Sequence, residues 1–223
     1  MSFDFKQKYL ILISFFLALS LFGCLPRQEV IKKGGEEVPP SPLLSGATEG
    51  QGKMGKILMV IAPNNFRDEE YQKPKAVLEN AGYQIVTASK GAQVAKGMLG
   101  AVVNVDLDLA QVKIGDYVAV VFIGGSGASV YFDDQIVLNL AKEAVSQGKV
   151  VGAICIAPSI LANAGILKGK NATSFSSGAE NLKAKGVNYT GQSVTADGKI
   201  VTANGPEAAE AFGQKILEIL RNF

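Results

Sequence analysis

Three short runs, Lys56 to Ala62, Tyr117 to Ile123 and Val150 to Ile154, are apolar, largely β-branched and free of interior charge. A strand with one wet face alternates apolar and polar residues, whereas unbroken runs of this length suit strands buried on both faces of a parallel sheet. Parallel strands need crossover connections, and helix-compatible stretches follow each run: about Asp68 to Ala81, Asp133 to Gln147 and Ala157 to Ala164. Gly82 ends the first of these, while Pro74 inside it should kink the helix or push its regular part later. Tyr83 to Ser89 supplies a further strand. A small hairpin is expected across Ala92 to Val105 and a second across Ala196-Asp197-Gly198-Lys199, where Asp-Gly is a two-residue turn signal. Asn171 to Ser174 and a short helix around Ala179 to Lys185 lie between the two hairpins. Glu207 to Arg221 reads as an amphipathic helix burying Ala208, Ala211, Phe212, Ile216, Leu217 and Leu220. The sum is one α/β domain from about Met54 to Phe223, a parallel sheet sandwiched between helices. Ligands in such sheets bind beyond the carboxyl ends of the strands.

The first residues are not part of that domain. Lys6 and Lys8 precede an uncharged stretch from Tyr9 to Gly23, sized for the apolar core of an export signal and short for a membrane span. Leu21-Phe22-Gly23-Cys24 resembles a bacterial lipobox, with Cys24 as the lipidated residue and Phe22 bulkier than that pattern usually allows. An uncleaved amino-terminal anchor is the other reading. Both put the domain in the cell envelope, outside the cytoplasm and held to a membrane. Leu25 to Lys53, with Gly34-Gly35, Pro39-Pro40 and Ser41-Pro42, reads as a flexible tether.

The formal net charge of +2 gives no case for nucleic acid. The chain has two cysteines and no histidine, and no Asp/Glu spacing resembles a calcium loop, so neither a metal nor another cofactor is expected. If Cys24 carries lipid, Cys155 has no intrachain disulfide partner.

Cys155 stands at the end of the Val150 strand, ahead of a helix with Pro158 in its first turn. A helix amino terminus favours a thiolate and should lower the thiol pKa. The same position also suits a buried structural cysteine. Phe66-Arg67-Asp68-Glu69-Glu70, Phe122-Ile123-Gly124-Gly125-Ser126-Gly127 and Ala153-Ile154-Cys155-Ile156-Ala157-Pro158, taken in order, resemble the ThiJ/PfpI family, which takes in the parkinsonism-associated deglycase. Ile160 to Lys170 and Thr202-Ala203-Asn204-Gly205-Pro206 extend the likeness, which covers essentially Lys56 to Phe223. The resemblance implies a flavodoxin-like, doubly wound, mostly parallel α/β sheet of the class I glutamine amidotransferase-like kind, and a homodimer. It also implies Cys155 as nucleophile, Glu70 as the carboxylate contacting it, and Gly125 and Ile156 as backbone donors for an oxyanion. Read without the family, Glu70 is one of three consecutive acids in a helix's first turn, as a solvated acidic turn would be.

The chain departs from the family where histidine is usual. Ile156 follows the cysteine directly, and Phe175 occupies the place on the following strand where other branches carry histidine. Cysteine-histidine hydrolysis lacks its proton carrier, so peptidase chemistry is not expected. Three functions fit the residues. The first is thiol addition to a small aldehyde such as methylglyoxal, with Glu70 moving the proton, a glyoxalase-like or deglycase-like role. The second is a non-enzymatic sensor in which an oxidant acts on Cys155, as in an oxidative-stress response. The third is a binding module that has lost its chemistry. A phosphate-binding reading of Gly124-Gly125-Ser126-Gly127 lacks the remaining motif residues.

Overall fold

A computed structural model describes residues 54–222, so the export signal, Cys24 and the tether lie outside the described residues. The strands are β1 (Lys56–Val60), β2 (Asn64–Phe66), β3 (Gln84–Ser89), β4 (Val94–Gly97), β5 (Val102–Asn104), β6 (Leu107–Asp108), β7 (Ala119–Phe122), β8 (Val150–Ile154), β9 (Asn171–Ala172), β10 (Asn188–Tyr189), β11 (Val194–Asp197) and β12 (Ile200–Ala203). The helices are α1 (Asp68–Asn80), α2 (Gln135–Ser146), α3 (Pro158–Asn163), α4 (Ala179–Ala184) and α5 (Ala209–Asn222).

Seven strands form one sheet in the order β11-β12-β8-β7-β1-β3-β6, parallel throughout except where β11 pairs with β12. Taking only β1, β3, β7, β8 and β12, the spatial sequence is second, first, third, fourth, fifth, which is the flavodoxin-like doubly wound order. Alternation along β1 sends side chains to two cores. Leu58 and Val60 face Val137, Leu140 and Ala141 of α2 and Ile160 and Leu161 of α3. Ile57 and Met59 face Tyr71 and Leu78 of α1 and Phe212 and Ile216 of α5. Burial on both sides is why the central strands carry no polar alternation.

Several local expectations change. Regular helix in α1 begins at Asp68, ahead of Pro74, so the proline does not displace it. Pro74 is buried and faces Gly213 of α5, where a Cβ would lie 2.7 Å from the Pro74 Cα. The proline thus sits at a close crossing of two helices. In α5 the buried stripe is Ala209, Phe212, Gly213, Ile216 and Ile219, while Ala211 is exposed and Leu217 and Leu220 are half-buried. The stripe is rotated because α5 packs against β8 and α1 together. The second hairpin turns at Gly198-Lys199, since Asp197 pairs with Ile200 and the positive φ of 58° falls on Gly198. Asp197 is held in the strand by accepting from the Asn171 amide at 3.0 Å and from Lys170 Nζ at 3.2 Å. The short link between β1 and α1 holds β2, which pairs with β4 and joins the first hairpin in a three-stranded sheet.

Gly213→Val should lower unfolding free energy by at least about 2 kcal/mol, because the obstructing atoms are Pro74 backbone and cannot swing aside. Ala211→Lys should stay within about 0.5 kcal/mol of the parent. Urea unfolding of the two variants measures both.

Candidate active site

Cys155 is the first residue after β8 and has φ of 63°, in the left-handed region that side chains with a Cβ avoid. Its amide donates to the Ala203 carbonyl of β12 at 2.9 Å, and its carbonyl accepts from the Phe175 amide at 2.8 Å. These bonds hold a conformation that ordinarily costs about 1–3 kcal/mol. The strained turn leaves the side chain half-buried at the carboxyl edge of the sheet, with α3 starting at Pro158.

The three consecutive acids are not a solvated turn. Asp68 is buried and accepts from the Leu99 amide at 2.9 Å and the Ala101 amide at 2.7 Å, pinning the tip of the β4–β5 hairpin. Glu69 is held by Arg67 Nε at 2.8 Å and Nη2 at 3.2 Å. Glu70 is 0% exposed, and neither carboxyl oxygen has a full hydrogen-bond partner within the protein. Its carboxyl lies against Gly124, where a Cβ would stand 2.5 Å from Oε2, 2.6 Å from the Cys155 Cβ and 2.7 Å from the Ile154 carbonyl. Only a residue without a side chain lets acid and thiol meet there.

The electrostatics reverse the expectation of an acidified thiol. Burial pushes the Cys155 thiol up to about 12, the Glu70 charge adds to the rise, and the amides of Gly125 and Ile156 work against it. The helix amino terminus does not prevail, because α3 is only six residues long and the sulfur is largely out of water. Burial likewise raises Glu70 to about 7, against the opposing influence of the thiol and of Arg67. Below neutrality both groups hold their protons. Above it, the carboxylate forms first and faces a neutral thiol, so the pair can pass one proton between oxygen and sulfur.

All four residues proposed from sequence, Cys155, Glu70, Gly125 and Ile156, line one cleft of about 540 Å³. Arg67, Met98, Ser126, Phe175, Ser177, Pro206 and Glu207 complete its wall. Phe175 was read only as a replaced histidine. Its ring stands beside Gly205, Cδ2 lying 3.6 Å from where a Gly205 Cβ would be. Met98 gave no signal in the sequence and arrives only because Asp68 anchors its hairpin. Gly124 was read as a turn glycine, yet its role is the close approach of Glu70. Among the described residues no cluster of three or more His, Cys, Asp or Glu is arranged to hold a metal ion.

Residues 55–219 match the DJ-1/PfpI family. The chain belongs to that family. A protein of Methanocaldococcus jannaschii, described only as uncharacterized, is 42% identical over 173 residues, spanning 75% of this chain and 83% of the relative. Deglycase PfpI of Pyrococcus furiosus is 30% identical over 166 residues, spanning 74% and 99%. The crystal structure of a ThiJ/PfpI domain protein from Brachyspira murdochii superposes with a TM-score of 0.75 at 35% identity, covering 77% of this chain and 99% of that one.

The raised Glu70 pKa has a stability consequence of defined sign. The folded protein holds this proton up to about pH 7, whereas the unfolded carboxyl releases it near 4.5, so stability is lost as pH rises between those values. The span corresponds to about 3 kcal/mol. Glu70→Gln, which stays neutral, should gain on the parent progressively from pH 4.5 to 7 and hold a constant advantage above. Thermal unfolding across that range reads the divergence; parallel curves for the two proteins would contradict a raised carboxyl.

Proposed function

We propose that this DJ-1/PfpI protein is a thiol enzyme that adds Cys155 to small reactive aldehydes and converts 2-oxoaldehydes to 2-hydroxy acids. The observation that carries the reading is the fully buried Glu70 carboxyl packed beside the Cys155 thiol at an open cleft. Several relatives bear the name deglycase, which supports the reading.

Above pH 7 the Glu70 carboxylate takes the thiol proton as sulfur bonds to the aldehyde carbon, and the carbonyl π pair moves to oxygen. The Gly125 and Ile156 amides would stabilise that oxyanion, which then takes the proton back from Glu70. Glu70 next takes the hydrogen of the former aldehyde carbon as a proton, the C–H pair forming the C=C of an enediolate as the neighbouring carbonyl oxygen takes up the charge. It then returns the proton to that neighbouring carbon while the hydroxyl proton passes from the first oxygen to the second, leaving C=O at the first carbon. That transfer oxidises one carbon, reduces its neighbour and leaves a thioester. Water cleaves the thioester, releasing the hydroxy acid and restoring the thiol. The overall change is aldehyde plus water, with no external oxidant. Glu70 carries every proton, so histidine is not needed.

The oxidation-sensor reading asks for a resting thiolate, and burial opposes one. The inert binding-module reading gives no use for a buried carboxyl set against a thiol, which is costly to keep.

Lactate formation from methylglyoxal tests the proposal. Turnover should rise with pH through about 7, as Glu70 becomes a base. Glu70→Gln should abolish that inflection and slow turnover by about 10²- to 10⁴-fold, and Cys155→Ala should have no activity. Equal rates for parent and Cys155→Ala would end the reading.

For the segment outside the described residues, we propose anchoring in the cell envelope through Cys24 or an uncleaved apolar segment, on the strength of the charge pattern and the Leu21-Phe22-Gly23-Cys24 sequence. In a bacterial host, membrane fractionation and intact mass of Cys24→Ala should show loss of the lipid increment and release from the membrane. Membrane retention at the full unprocessed mass in both forms would favour the uncleaved anchor.

A further inference from the structure

The cleft is larger and more apolar than methylglyoxal requires. Its volume of about 540 Å³ lies in the range of about 300–1,000 Å³ common for ligands of many more atoms. Met98, Ile156, Phe175 and Pro206 present hydrocarbon or aromatic surface to it, and Phe175 and Met98 are 46% and 44% exposed. A small dicarbonyl bound at the sulfur would leave most of that surface wet. A bulkier apolar substituent would cover it and gain the corresponding transfer free energy.

Charge at the mouth argues in the same direction. Arg67 is the one cation lining the cleft among the described residues, and one edge of its guanidinium, two of its five N–H donors, is engaged by Glu69, whose carboxylate offsets its charge. Glu207, exposed in the cleft wall, adds a negative charge, and Glu70 adds another above pH 7. With Arg67 offset by Glu69, the charge left at the mouth is that of Glu207 and, above pH 7, of Glu70, which disfavours a substrate carboxylate.

Resting on the aldehyde reading above, we infer that the cleft selects uncharged carbonyl compounds bearing an aryl or branched-alkyl substituent, in preference to methylglyoxal and to carboxylate-bearing 2-oxo acids. Met98 and Phe175 are the specificity-determining residues. The carbonyl carbon sits at Cys155 and the substituent lies between the hairpin tip and the Phe175 ring. Both side chains occupy that space because backbone bonds fix their residues: Met98 N donates to the Phe66 carbonyl at 2.9 Å, and Phe175 N donates to the Cys155 carbonyl at 2.8 Å.

The test separates recognition from turnover. Cys155 in the full chain is alkylated with iodoacetamide, N-benzyl iodoacetamide and iodoacetate, each rate being divided by that of N-acetylcysteine and the Cys155 adduct followed by peptide mass. The normalised benzyl rate should exceed that of iodoacetamide by about tenfold, and iodoacetate should be slowest. Met98→Ser with Phe175→Ser should bring the benzyl advantage to near unity, while Phe175→Leu should keep most of it. In parallel, kcat/KM for phenylglyoxal should exceed that for methylglyoxal. Cys155-dependent turnover of methylglyoxal without a benzyl advantage, or with one that survives the double serine variant, would overturn the inference and leave the enzyme reading standing. A benzyl advantage that depends on the two side chains, with no aldehyde turned over, would sustain the recognition claim and remove the enzyme reading.

Discussion

A carboxyl group and a thiol share one small, nearly dry space at the carboxyl edge of the sheet, and only Gly124 makes room for them. Neither group can ionise without opposing the other, so the proton's position becomes a property of the pair. The surrounding architecture maintains that proximity. β1 delivers Glu70 through the first turn of α1, β7 delivers the glycine turn, and β8 delivers Cys155, all at the place where the winding of the sheet reverses.

The scaffold tolerates this because its strain is local and its cores are conventional. The positive φ of Cys155 is held by two backbone hydrogen bonds to neighbouring chain segments, and the buried Glu70 avoids the larger cost of an isolated charge by keeping its proton to about neutrality. On each side of the sheet the apolar faces of the strands meet helices that need the same burial. The acids flanking Glu70 serve different ends. Asp68 sets the hairpin that brings Met98 to the cleft, and Glu69 occupies Arg67. One helical turn thus organises the reactive pair, an apolar wall and the charge at the mouth.

Much of this fold was legible in the residues. The charge-free runs gave β1, β7 and β8 within a residue or two, and the Val150–Ile154 strand matched at both ends. Runs buried on two faces leave little freedom in their placement. The misreadings came where tertiary contacts choose among local options. β2 is too short to declare itself and exists because β4 lies beside it. The rotated stripe of α5 follows from packing on two partners at once, and the one-residue shift at Gly198 follows from Asp197 being engaged by Lys170 and Asn171.

By itself the sequence determined an α/β domain with a parallel sheet between helices, a cysteine at a strand end and the absence of any imidazole, because periodicity, turn chemistry and composition are local properties. Tertiary structure decided the state of the site. Whether a thiol is acidified by a helix terminus or held neutral by burial depends on how much water and which charges surround it. Those surroundings come from segments as distant in the chain as Glu70, Gly124, Cys155 and Phe175. The same holds for the cleft wall, which Met98 and Phe175 come to line together only after the hairpin and the strand-end loop have been brought to the sheet edge.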